Sequence, residues 1–198
     1  MNKKAQKGFT LIELLVVIAI IAVLSVVVIL TLNPAELLRQ ARDSSRISDL
    51  NTLKSAIALF LADLNSTSSA ALGTGQTCYE STTAVNATNA AGCAASWFGV
   101  GGATVTSTSA TAGAVNGTGW IPIDFSQISS GAPIGNLPSD PTNDPNFLYA
   151  YTPTSTFQYE LGTNMESTKY VNGGGDDVES TDGGDKDDFY ETGSSVRL

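Results

Sequence analysis

The chain has 198 residues, with 19 acidic and 10 basic side chains, a net charge of -9, two cysteines and no histidine. Without imidazole, Ser-His-Asp and Cys-His nucleophiles and histidine-ligated zinc or haem are excluded, and two cysteines are too few for a zinc finger or an iron–sulfur site. Residues 1–60 carry seven basic and four acidic groups, so the remainder carries -12. General nucleic-acid binding, which depends on clustered Lys and Arg, is therefore not expected.

An uncharged apolar run extends from Leu14 to Leu32. Counted as a helix from Phe9, it would be about 36 Å long, enough to cross a hydrocarbon core of about 30 Å. Lysines precede the run, so the positive-inside rule places the N-terminus in the cytoplasm and everything after Asn33 outside. No small-residue cleavage site follows it, and we expect a retained single membrane span instead of a removed secretory signal.

Glu13 is an ionisable side chain at the start of this apolar helix. A charge in a membrane helix costs roughly 2.5 to 3.5 kcal/mol at mid-membrane and less near an end. No cation lies within the following two dozen residues. The partner of Glu13 must therefore come from the chain's own N-terminal side or from another molecule.

The segment Lys7-Gly8-Phe9-Thr10-Leu11-Ile12-Glu13-Leu14 resembles the cleavage and methylation motif of type IV prepilins and of the pseudopilins of type II secretion. In that family a membrane peptidase cuts after the glycine, here Gly8, and methylates the new N-terminal amine, here that of Phe9. The resemblance also implies that Glu13 pairs with the Phe9 amine of a neighbouring subunit during assembly. Opposite charges attract strongly at low dielectric, which agrees with that role. An ordinary anchor that shares these residues by chance is the alternative.

The sequence after Pro34 predicts an amphipathic continuation of the helix, so that one long helix would cover about residues 9–64. Apolar residues recur at spacings of three and four, namely Leu37, Leu38, Ala41, Ile47, Leu50, Leu53, Ile57, Phe60, Leu61 and Leu64. The charged residues assigned to or near its polar side are Arg39, Arg42, Asp43, Arg46, Asp49 and Lys54. Pro34 disfavours helix at Asn33, so a kink or melted turn is expected there. A short juxtamembrane helix followed by a linker is the alternative.

Residues 65–119 are dominated by Ser, Thr, Ala, Gly and Asn, a composition that buries little core and predicts a loop-rich insert. Cys78 and Cys93 are predicted to form a disulfide, because the exported side is oxidising. The bridge would close a loop of about 16 residues and contribute roughly 3 kcal/mol. Free thiols are the alternative.

Residues 120–198 are predicted to contain a small sheet. Phe147–Tyr151 and Phe157–Leu161 alternate large with small or polar residues, which predicts a hairpin, and the chain is expected to return to the sheet at Phe189–Glu191. The turn at Pro138-Ser139-Asp140-Pro141 and the strands after it resemble the head of major pseudopilins, in which a short antiparallel sheet packs on the helix. A generic sheet-forming segment is the alternative.

The stretch from Asn172 to Glu191 is rich in Asp and Gly. One interpretation is a solvated acidic loop. The other is a calcium site, since Ca²⁺ takes six to eight oxygen ligands and glycines let oxygens converge. The resemblance supports calcium, because major pseudopilins place this ion in the same region. The candidate ligands are Asp182, Asp185, Asp187 and Asp188, and their spacing excludes an EF-hand.

Together these patterns predict an α+β protein with a long N-terminal helix packed on a small antiparallel sheet. The expected segments are a cleaved leader (1–8), a transmembrane or filament-core helix (9–32), its amphipathic continuation (33–64), the loop-rich insert (65–119) and the sheet head with an acidic loop (120–198).

The resemblance implies a structural subunit of a type IV pilus-like filament and no enzyme. Its partners would be identical or homologous pilins, the prepilin peptidase and the assembly platform. It would reside in the cytoplasmic membrane and then in an extracellular filament. The alternatives are a major-pseudopilin-like subunit of a type II secretion system, located in a periplasmic pseudopilus, and a membrane-anchored minor pilin or adhesin. Changing Glu13 should cripple a polymer but spare a monomeric binder.

Overall fold

The computed structural model describes residues 8–63, 69–75, 77–81, 104–107 and 113–196. The chain divides into two compact units, Met1–Leu38 and Arg39–Leu198, and the second is called the head below.

Helix α1 spans Leu11–Leu32 and helix α2 spans Pro34–Asp63. Asn33 separates them in the left-handed conformation, with φ 39° and ψ 73°, which Asn adopts more readily than most residues. Pro34 takes the first position of α2, where the missing N–H needs no partner. The expected interruption near Asn33 is confirmed, and it divides the predicted long helix into two.

Every described side chain from Leu11 to Ile29 is exposed, although this stretch is almost wholly apolar. By length and composition it can cross a membrane.

Five strands form one sheet in the order β2-β1-β3-β4-β5. They are β1 (Thr77–Glu80), β2 (Thr104–Ser107), β3 (Ala150–Pro153), β4 (Tyr159–Thr163) and β5 (Tyr190–Gly193). Strands β1 and β2 are parallel, and β1, β3, β4 and β5 form an antiparallel four-strand sheet. The predicted α+β class with a small antiparallel sheet is confirmed.

The predicted hairpin is β3 and β4, which pair with Tyr151 opposite Leu161. Strand β3 begins three residues later than predicted, because the Asp144 carboxylate accepts hydrogen bonds from the Phe147 and Asn146 amides in a turn. Strand β5 begins at Tyr190, as the expected return to the sheet requires. Strands β1 and β2 lie in the segment whose composition predicted only loops.

The head core lies between α2 and one face of the sheet. Its central members are Leu50, Leu53, Ile57 and Phe60 of α2 with Trp120, Tyr151, Tyr159 and Leu161. Because side chains alternate along a strand, Glu80, Glu160 and Glu191 lie on the opposite face, where all three are buried.

Candidate functional site

The bond between Gly8 and Phe9 is the predicted cleavage point. A Cβ placed on Gly8 would meet no atom within 4 Å, and Phe9 is 90 % exposed. Both residues precede α1, which begins at Leu11. Within the described part of the chain, no other residue crowds Gly8, and the Phe9 side chain is open to solvent.

Glu13 is held by Thr10 in a capping box at the start of α1. Its Oε2 accepts hydrogen bonds from the Thr10 amide at 2.8 Å and the Thr10 hydroxyl at 2.7 Å, and the Glu13 amide donates to Thr10 Oγ1 at 3.3 Å. These hydrogen bonds provide acceptors for two backbone N–H groups that have no partner within the helix. They also place a negative group at the positive end of the helix dipole.

Sequence analysis missed the contribution of Thr10, although a Thr followed three residues later by Glu before an apolar run is the signature of a capping box. Thr10 supplies donors but no charge. The capping box therefore stabilises the carboxylate without neutralising it, and the need for a cation remains.

An open groove of about 350 Å³ surrounds this carboxylate. The described residues that line it are Phe9, Ile12, Glu13, Val16 and Val17, and among these Glu13 is the only ionisable one. An apolar surface with a single acid fits an apolar partner that carries one cation.

The family model for the prokaryotic N-terminal methylation motif matches residues 3–29. The N-terminus fits a type IV pilin or pseudopilin. The match points to a structural subunit and implies methylation, processing by prepilin peptidase, assembly with other pilins and anchoring in a membrane. No curated protein and no solved structure matches the chain.

A buried ionic cluster fixes α2 to two loops of the head. Arg46 donates from Nε and Nη2 to the two carboxylate oxygens of Asp140 at 2.6 and 3.0 Å, and from Nη1 to Asp43 at 2.7 Å and Glu166 at 3.3 Å. Burial alone would lower the pKa of Arg46, but the hydrogen bonds to Asp140 and Asp43 outweigh it and raise the pKa. Arg46 is therefore a buried cation whose charge is fully compensated.

The placement of Asp43 and Arg46 on the polar side of α2 was wrong, since both side chains are fully buried. Asp43 also accepts hydrogen bonds from the amides of Glu166 and Ser167. Asp140, from the turn at Pro138-Ser139-Asp140-Pro141, accepts a hydrogen bond from the amide of Thr142 at 2.7 Å. The turn thus presents to Arg46 a carboxylate that is already oriented by its own backbone.

The four predicted calcium ligands do not converge as one set. Asp185 has a carboxylate oxygen within 4.8 Å of oxygens of Glu160 and Glu191, and Asp187 and Asp188 are not part of this group. Asp182 instead accepts hydrogen bonds from the amides of Gly184 and Glu191. Sequence analysis missed Glu160 and Glu191, which lie in β4 and β5 and only the strand register brings together.

Of the predicted disulfide, Cys78 lies buried in β1. Cys93 lies outside the described residues. The Cys78–Cys93 bridge stays a prediction.

Proposed function

We propose that this chain is a structural subunit of a type IV pilus-like filament. Prepilin peptidase removes residues 1–8 at the cytoplasmic face and methylates the amine of Phe9. The mature subunit crosses the cytoplasmic membrane once through α1, with the head outside, until the assembly platform adds it to an extracellular filament.

The observation that carries this proposal is the combination of an apolar helix whose described side chains are exposed with one carboxylate at its start. In a membrane, lipid tails cover the apolar side chains of α1. Moving α1 from lipid to a bundle of helices replaces these apolar contacts with other apolar contacts. The hydrophobic effect therefore contributes little to the choice of partner. A charge pair in low dielectric does discriminate between partners, because an unpaired charge there is penalised.

We therefore assign Glu13 to the Phe9 amine of an adjacent subunit. The carboxylate lies in an open groove and its described hydrogen bonds come from Thr10 alone. A neighbouring N-terminus can reach it without displacing a buried group, and the contact would fix the register between subunits.

Two single substitutions separate the charge of Glu13 from its capping role. Glu13→Gln keeps an acceptor for Thr10, because capping boxes use Gln as well as Glu, but removes the charge. Thr10→Ala removes the hydroxyl and keeps the charge. We expect surface filaments, measured in sheared fractions and by electron microscopy, to be lost with Glu13→Gln and retained with Thr10→Ala.

The processing half of the proposal is tested by the intact mass of the membrane-resident protein. We expect a mass lacking Met1 to Gly8 with one added methyl group on Phe9. Wild-type filament yields with Glu13→Gln, or uncut protein in cells that assemble filaments, would contradict the assignment. Absence of surface filaments, together with loss of type II secretion on deletion, would favour the pseudopilin alternative.

A further inference from the structure

We infer that Asn116 is a site of self-modification, at which the fold promotes the slow conversion of this asparagine to aspartate or isoaspartate. The reaction needs water and no other protein. The inference goes beyond the filament function and does not depend on it.

The sequence holds two Asn-Gly pairs, Asn116-Gly117 and Asn172-Gly173. Asparagine is thermolabile in proteins, and a following glycine carries no side chain that would hinder attack by its own backbone nitrogen. Both asparagines are exposed, so water reaches both. The two pairs therefore share their local chemistry and differ in the structure around them.

At Asn116, Thr118 donates two hydrogen bonds to the side-chain carbonyl. The Thr118 hydroxyl lies 2.7 Å from Asn116 Oδ1, and the Thr118 amide nitrogen lies 3.3 Å from the same oxygen. A backbone N–H can only donate, so the atom that faces it is the oxygen of the carboxamide and not its nitrogen. Both donors polarise the carbonyl and make its carbon more open to attack.

The backbone holds this turn in place. The Val115 carbonyl accepts a hydrogen bond from the Phe125 amide at 2.8 Å, and Asn116 forms an antiparallel bridge with Asp124. Gly117 has φ 82°, in the left-handed region that glycine enters without steric cost. The turn thus favours glycine at the very position that makes the asparagine labile.

The reaction balances with the chain and water alone. The Gly117 backbone nitrogen attacks Asn116 Cγ and forms a C–N bond, and its proton passes to water. The Cγ–Nδ2 bond breaks as the leaving nitrogen takes a proton from water and departs as ammonia. A second water molecule then opens the cyclic imide at either carbonyl, which gives aspartate or isoaspartate.

The Thr118 donors act on the slow part of this reaction. When the nitrogen attacks, negative charge develops on Asn116 Oδ1. Hydrogen bonds to a developing oxyanion are stronger than those to a neutral carbonyl, so the same two donors stabilise the transition state more than the ground state. Thr118 is therefore a positioning and activating residue for the modification of Asn116.

Asn172 lacks these donors. Within the described part of the chain, its hydrogen bond runs from its backbone amide to Glu179, and none reaches its carboxamide. The Gly173 amide, which would have to attack, donates to Asp177 Oδ2 at 2.8 Å. Hydrogen bonds from Ser180 lower the pKa of Asp177, so this carboxylate is too weak a base to take the amide proton and instead stabilises the N–H form.

Conversion of Asn116 would place a second carboxylate across the bridge from Asp124. Hydrogen bonds from Ser126 lower the pKa of Asp124, so that its carboxyl is ionised at neutral pH. Like charges directly opposite each other destabilise a strand pair, and isoaspartate also adds one carbon to the backbone. The modified turn should therefore hold its bridge less firmly than the original one.

The test is peptide mass spectrometry of the full chain in detergent micelles, incubated at neutral pH and sampled over time. Replacement of NH2 by OH changes the mass of each Asn-Gly peptide separately. We expect Asn116 to react about three- to tenfold faster than Asn172, the factor that a single hydrogen bond can contribute to a rate. In urea, which removes the turn, the two pairs should react at equal rates.

Thr118→Val removes the hydroxyl with little change in shape, and it should slow Asn116 about threefold or more. Thr118→Ser keeps a hydroxyl and is the matched control, so it should react at the wild-type rate. In both variants Asn172 should react as in the folded wild type, which shows that the head still folds.

Three results would each overturn the inference. The first is an Asn172 that reacts as fast as Asn116 in the folded chain. The second is an excess rate at Asn116 that persists in urea, since this excess would come from the local sequence and not from the fold. The third is a Thr118→Val variant in which Asn116 reacts at the wild-type rate.

Discussion

In α1, every described side chain from Leu11 to Ile29 is exposed, whereas in the head the apolar side chains of α2 and the sheet are buried against each other. The head therefore supplies its own core, and α1 must find apolar surroundings in lipid or among other helices. Charges follow the same division. Glu13 has only neutral donors among its described hydrogen bonds, whereas Arg46 in the head is buried with its counter-charges.

Because of this contrast, substitutions in the two units should affect different measured properties. Substitutions in the head should change its free energy of unfolding, and substitutions in α1 should change assembly. The predictions below test that separation, beginning with the largest expected change in stability.

Arg46→Leu should destabilise the head by about 3 to 5 kcal/mol, since it leaves Asp43 and Asp140 buried without their cation. Arg42→Leu is the control, because Arg42 is 34 % exposed and pairs with Glu166 at the edge of the cluster. Loss of the Arg42–Glu166 ion pair should destabilise the head far less, because solvent screens an exposed ion pair. The measurement is urea unfolding of both variants in detergent. If both substitutions lower the free energy of unfolding equally, burial of the ion pair does not determine its contribution to stability.

Glu80→Gln should remove part of the pH dependence of head stability. Burial raises the pKa of Glu80 from an ordinary value of 4.5 to about 7. Between these values the folded state holds a proton that the unfolded chain releases, so the free energy of unfolding falls as pH rises, by about 3 kcal/mol over the whole window.

Urea unfolding from pH 4 to 8 in the presence of chelator measures this slope. Asp63→Asn is the control, because hydrogen bonds from Ser129 lower the pKa of Asp63 and its contribution lies at lower pH with the opposite sign. If Glu80→Gln unfolds with the wild-type slope between pH 4.5 and 7, burial of Glu80 does not penalise its charge.

Val23→Ala in α1 should change the free energy of unfolding of the head by less than about 0.5 kcal/mol, because Val23 is 66 % exposed. A truncation inside the head that removes one carbon more, Leu53→Ala, should cost about 2 to 5 kcal/mol through the cavity that it leaves, because Leu53 is fully buried. Thermal unfolding of both variants in one detergent compares them. A large effect of Val23→Ala would show that α1 contributes to the stability of the head.

Local patterns in the sequence were sufficient where one element determines its own structure. The apolar run predicted α1, the Pro34 ring predicted the interruption at Asn33, and alternation predicted the hairpin of β3 and β4. Strands β1 and β2 were missed because their sequences, TCYE and TVTS, lie in a polar segment whose average composition hides them.

Features that depend on residues far apart in the sequence could not be predicted from local patterns. Arg46 can be buried because it pairs with Asp140, which lies 94 residues further along the chain. Helical periodicity alone places an arginine on the solvent-exposed side, because it does not include so distant a partner. Glu160 and Glu191 become neighbours only through the register of β4 and β5. The sequence analysis considered only the aspartates of the acidic loop. Of the three clustered carboxylates, however, two belong to strands, Glu160 in β4 and Glu191 in β5.

The Thr10–Glu13 capping box also affects the state of a subunit before assembly. In the proposed filament function, a subunit stored in the membrane would keep the Glu13 carboxylate hydrogen-bonded to the side-chain hydroxyl and the backbone amide of Thr10. Joining the filament would exchange these two donors for the amine of another subunit, and a released subunit would return to the same two donors. Recruitment and release would thereby be steps between two hydrogen-bonded states of the same carboxylate.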